Sequence, residues 1–180
     1  MITLPNRFIL KQNSMENRIK VTGKAQNATA LGIIHAYMQI FPHSTLTDLR
    51  KTFPNNIAPD KGVEELFLPV AEAETYNQKN ISLYFVKDEC PIILADGTKI
   101  ALSQIWTAKS LNNLVETAQK YGITAEVSKS SNQKMNKSGY AIEYLNDWKP
   151  IAPKKGCLGM FALIFTVGSG IILGLIELMK

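Results

Sequence analysis

The chain has 180 residues, enough for one domain and an appendage and too few for two full domains with a linker. Its 46% hydrophobic content suits a globular protein, but the last quarter sets a polar stretch before an almost unbroken apolar run. The net charge of +5 is as uneven: Arg7, Lys11, Arg18, Lys20 and Lys24 against Glu16 make residues 1–24 +4. Lys129, Lys134, Lys137, Lys149, Lys154 and Lys155 against Glu143 and Asp147 make 128–155 +4, which leaves the body from 25 to 127 at −3. A nucleic-acid partner needs its basic residues on the folded body, so the charge argues against one.

Residues 1–24 are expected to be an N-terminal arm. Pro5, Asn6 and Arg7 interrupt its short apolar pieces, so it is no secretory signal, and Met15 is an alternative start to Met1. Cys90, in an expected loop, and Cys157, at the head of the apolar run, do not form a disulfide framework; a reducing cytoplasm suits them.

An α+β head is expected over 25–127. Ala28–Phe41 reads as a helix with Leu31, Ile34, Tyr37, Met38 and Phe41 on one stripe, ended by Pro42. Ser44 or Thr45 then caps a second helix, with Asp48 completing a near capping box and Pro54 closing it. The pair forms an N-terminal αα-hairpin, because the exposed Thr47, Asp48, Arg50 and Lys51 make a mixed face rather than a DNA-reading one. Leu66–Val70 and Ile81–Val86 read as strands. Ile92–Leu102 reads as a β-hairpin turning at Asp96-Gly97. Ser110 caps a further helix with Leu111, Leu114, Val115, Ala118 and Tyr121 on its apolar face; Gly122 stops it, and Ile123–Val127 supplies a last strand of a small antiparallel sheet.

The segments GKAQNATALGIIHAY, LRKTFP and ADGTKIALSQIW, within about Lys20 to Val127, resemble a type of small uncharacterised bacterial domain, with Bacteroidota as the suggested source. The resemblance brings neither an activity nor site residues.

Chemistry is sparse. His35 and His43 have no cysteine or histidine at metal-ligand spacing, Cys90 has no evident histidine partner, and Asp60, Glu64, Glu65, Glu72 and Glu74 read as solvated loop carboxylates. P-loop, GxGxxG and G-x-S-x-G motifs are missing, so no catalytic residue, cofactor or metal is expected. Gln104 and Trp106 are candidates for a ligand groove, with core packing the plainer role for the indole.

Residues 128–155 read as a flexible basic linker. Ala141, Tyr144, Leu145 and Trp148 fall at i, i+3, i+4 and i+7, which predicts a short amphipathic helix, and Pro150 and Pro153 stop it. Trp148, Lys149, Lys154 and Lys155 are candidate membrane-surface contacts. A transmembrane helix is expected over 156–178: CLGMFALIFTVGSGIILGLI, from 157 to 176, carries no charge, and at ~1.5 Å per residue it crosses a hydrocarbon core. The lysines before it place the head in the cytoplasm, giving a single-pass, tail-anchored arrangement at the cell inner membrane. Ala162, Thr166, Gly170 and Gly174 recur every four residues, a face suited to homo-oligomerisation or to a partner transmembrane helix. The sequence thus predicts a membrane-tethered, non-enzymatic interaction module whose head binds a protein or small ligand. The alternative is a membrane-perturbing effector or toxin with the head as sensor.

Overall fold

The computed structural model describes residues 16–59, 62–77, 81–87, 89–128 and 134–150. The chain divides after Pro150, and all described residues lie before that boundary. Candidate residues Lys154, Lys155, Ala162, Thr166, Gly170 and Gly174, the expected span, Asp60 and residues 1–15 of the expected arm lie outside the described residues; residues 19–23, expected in that arm, are instead a strand paired on both sides.

The fold is α+β. Its first strand, β1 (Ile19–Gly23), alternates Ile19 and Val21 with Lys20 and Thr22, the period of a pleated chain. Helix α1 (Gln26–Ile40) follows. The sequence suggests a single apolar stripe, but the helix is buried almost all round: Ala28 to Ile34, Ala36 and Tyr37 are all enclosed. Two sheets and a further helix surround it, so the small residues between the stripe positions are also contact surface. Helix α2 (Leu46–Thr52) begins with the expected capping box. Asp48 N–H donates to Thr45 Oγ1 at 3.2 Å, and Thr45 N–H donates to Asp48 Oδ2 at 2.9 Å. A 3-10 turn at Asn55–Ile57 leads on to β2 (Phe67–Pro69).

The strand expected at Leu66–Val70 is shortened to Phe67–Pro69, and Val70–Tyr76 forms a short helix, α3, that the sequence reading missed. Ile81–Val86, expected as a strand, is not one: Tyr84 bridges to Ser103, and Phe85 N–H donates to Leu102 O at 2.9 Å. The hairpin forms as expected from β3 (Ile92–Ile93) and β4 (Lys99–Leu102). Leu94 N–H donates to Thr98 O at 2.9 Å, and Gly97, at φ +84°, takes the left-handed position of the three-residue loop. Thr107, rather than Ser110, is the N-cap of α4 (Ala108–Gln119), and β5 (Ile123–Val127) follows Gly122 at φ +77°.

The largest departure lies beyond 127. Tyr140–Tyr144 is not an amphipathic helix but a strand, β6, paired antiparallel with β1 from Ile19↔Tyr144 to Gly23↔Tyr140. The 128–139 stretch therefore joins two strands of one sheet instead of tethering the domain to something else. Its described part ends in a turn, with Gly139 N–H donating to Asn136 O at 3.0 Å.

Two three-stranded sheets result. One is antiparallel in the order β2-β4-β3; the other runs β5-β1-β6, with β1 and β5 parallel, so it is mixed rather than purely antiparallel. Helix α1 crosses the mixed sheet at close range. A Cβ on Gly32 would lie 2.6 Å from Val21 Cγ1 and 2.9 Å from the Tyr140 ring, so glycine here sets the helix-to-sheet spacing. One core gathers Ile19, Val21, Leu31, Ile34, Leu49, Phe53, Ile100, Leu114 and Ile123, and a smaller one forms around Leu68, Ala73, Tyr84 and Ala101.

Candidate functional site

A polar arrangement built on a histidine joins α1, the loop before β3 and the start of β6. His35 lies on α1, largely enclosed. Its Nε2 is 3.2 Å from the backbone oxygen of Cys90, and its Nδ1 meets the Tyr140 hydroxyl. A carbonyl can only accept, so Nε2 carries the proton, Nδ1 is bare, and Tyr140 must donate to it. Burial pushes His35 below its ordinary pKa, against smaller upward effects from the Cys90 carbonyl and the Glu89 charge. Burial also raises the Tyr140 phenol to about 12. Both groups are therefore neutral near pH 7, which suits a hydrogen bond in a poorly solvated place.

The arrangement extends outward. The Cys90 thiol lies 3.3 Å from Ser138 Oγ, and Tyr140 N–H donates to Asn136 Oδ1 at 3.2 Å. Beside Tyr140 opens a cleft of about 330 Å³ lined by Gln39, Lys134, Asn136, Tyr140, Ala141 and Ile142. The side-chain oxygen of Gln39 is buried with no hydrogen-bond donor. The cleft thus offers a cation and an amide, while His35 has both nitrogens committed to the fold.

The expected ligand-groove residues are placed differently. Trp106 is 7% exposed and belongs to the main core, with its indole N–H donating to Ser103 O at 2.8 Å. Gln104 is held by Ser82 Oγ at 2.7 Å and Tyr84 O at 2.9 Å. Both side chains therefore serve as internal ties rather than lining a groove together. Trp148 is half-buried against the main core with its ring 5.7 Å from that of Tyr144, and Lys149 is exposed. Both follow a turn in which Asn146 and Asp147 take positive φ. Among the described residues, no group of three or more His, Cys, Asp or Glu side chains could hold a metal ion.

The sequence reading missed the His35–Tyr140 pair because it put Tyr140 in a linker. A signal was there: Tyr140, Ile142 and Tyr144 alternate with Ala141 and Glu143, a two-residue period in β-favouring side chains. No family model, curated protein or solved structure matches the chain.

Proposed function

We propose that the chain is a membrane-tethered, non-enzymatic interaction module. In this reading the domain before Pro150 makes the contacts with a partner, and the 157–176 run holds it at the inner membrane with the domain on the cytoplasmic side. The observation that carries it is the run itself: twenty consecutive positions without a charge, entered from Lys149, Lys154 and Lys155. Among the described residues no helix is long and apolar enough to cross a membrane, so the tether rests on a segment outside them. The commitment of His35, Gln104 and Trp106 to internal hydrogen bonds supports a binding role over a catalytic one. Tethering confines the domain to a plane and raises its effective concentration toward membrane-associated partners.

Fractionation of cells expressing the full chain tests the tether. The protein is expected in the membrane pellet, resistant to high salt and alkaline carbonate and released by non-ionic detergent. The double substitution Leu163→Arg and Ile171→Arg should move it to the soluble fraction. Wild-type protein recovered without detergent would defeat the reading.

A further inference from the structure

The hydrogen-bond phase of β6 shows which of its backbone groups are free. Lys24 N–H donates to Gly139 O, and Leu145 N–H donates to Arg18 O. In an antiparallel ladder with this register, residues 139, 141, 143 and 145 aim their backbone groups at β1, and 140, 142 and 144 aim theirs at the opposite edge. β6 is an outer strand of its sheet. Tyr140 is already satisfied there: its O accepts from Asn136 N–H at 2.9 Å and its N–H donates to Asn136 Oδ1. Ile142 and Tyr144 keep an N–H and a C=O each, and among the described residues nothing bonds to them on that side.

Among the described residues, the chain directly after β6 does not close this edge. Leu145–Trp148 turns with Trp148 N–H donating to Leu145 O, and Asn146 Nδ2 reaches Asn17 O on the β1 side. Nor does β6 carry the usual edge defences. It has no proline and one charge, Glu143, while Tyr144 is 45% exposed. The cleft of Gln39 and Lys134 adjoins the same strand.

We propose that the free edge of β6 receives an extended peptide segment of a partner protein, which pairs with Ile142 and Tyr144 and sets an acidic side chain into the cleft against Lys134. The proposal rests on the interaction-module reading and names its partner class. Strand addition draws affinity from main-chain hydrogen bonds and selectivity from side-chain pockets at alternate positions. Charge selects the occupant. Lys134 on the cleft wall calls for a carboxylate, and an extended acidic segment supplies one beside the main-chain groups that pair with Ile142 and Tyr144. A second copy fits worse: pairing Ile142 with Tyr144 of its twin would set Glu143 directly against the twin's Glu143, two like charges face to face.

The test uses the full chain, in non-ionic detergent if the membrane retains it and in plain buffer otherwise. Blocked octapeptides alternating valine and threonine, with one threonine replaced by glutamate or by lysine, are titrated in and read by amide hydrogen exchange. The glutamate peptides should slow exchange at Ile142 and Tyr144. The lysine peptides should need about tenfold more for the same protection, and Lys134→Glu should invert that order. Equal protection by both series would overturn the proposal, as would no protection at millimolar peptide. So would protection that rises with protein concentration in the absence of peptide, the mark of a second copy on the edge. The readout needs no bilayer, so a chain that proves soluble removes the tether and leaves this result standing. A membrane-bound chain whose β6 ignores the peptides removes only the edge.

Discussion

The Tyr140 hydroxyl donates to His35 Nδ1 across 105 positions of sequence, tying the start of β6 to the middle of α1. The rings meet edge to face, with centroids 5.6 Å apart. Together with the His35–Cys90 hydrogen bond, this contact fastens a helix, a strand and a loop through one imidazole.

Tyr140→Phe keeps the ring and removes the hydroxyl that donates to a largely buried nitrogen. Losing one partner of a buried hydrogen bond costs about 1–3 kcal/mol, so the variant should unfold at lower urea with an unchanged slope. A midpoint equal to wild type would mean that the hydroxyl carries no such load.

His35 also sets a pH dependence. Its folded pKa lies below the ordinary 6.5 because burial disfavours the imidazolium, with Tyr140, the Cys90 carbonyl and Glu89 as the polar and charged groups around it. The unfolded chain therefore takes up the proton first as pH falls. Stability should decline from just above pH 6.5 down to the lower folded value and then level off as far as this residue is concerned. In His35→Gln that share of the slope should vanish, as seen by urea midpoints between pH 7.5 and 5. The exposed Asp48 and Asp96, both pulled below their usual range chiefly by backbone N–H donors at Thr45 and Thr98, act at lower pH and leave this window clear.

Gly32→Ala opposes two effects. Alanine favours a helix over glycine by about 0.5–1 kcal/mol. The added methyl, however, meets Val21 and Tyr140 well inside contact distance, and neither is a loose chain end. Overpacking of this kind costs about 1–3 kcal/mol, so the crowding should win and thermal denaturation should show a lower midpoint. A raised midpoint would mean that the helix can back away from the sheet.

Gly97→Ala isolates the other use of glycine. Nothing lies within 4 Å of a Cβ at this hairpin position, but φ is +84°. The strain of a left-handed residue, about 1 kcal/mol, should appear alone, and Gly97→Asn should be milder because asparagine tolerates that region. Equal midpoints for the alanine and asparagine variants would contradict this account.

Several elements were legible in the residues themselves because their causes are local. Thr45 and Asp48 sit three apart and satisfy each other's backbone; Asp96-Gly97 suits a turn whatever surrounds it. The 3.6-residue recurrence of Leu111, Leu114 and Ala118 is a property of one helix, and Gly122 ends it. The strand at 140–144 was misread because two periods overlap. Ala141, Tyr144, Leu145 and Trp148 satisfy a helical spacing, Tyr140, Ile142 and Tyr144 a pleated one, and only pairing with β1 decides between them. The partners of Gln104 and Trp106 were not legible for a related reason: the carbonyls that hold them, at Tyr84 and Ser103, depend on how β4 packs.

By itself the sequence determined the capping box of α2, the hairpin turn, the charge distribution and the uncharged run at 157–176, since each follows from neighbours along the chain. The tertiary structure alone decided that β1 and β6 belong to one sheet, that α1 is enclosed almost all round, and that His35 meets Tyr140. Those outcomes depend on which distant segments exclude water together. Pairing between residues more than a hundred positions apart leaves no periodic trace in either partner.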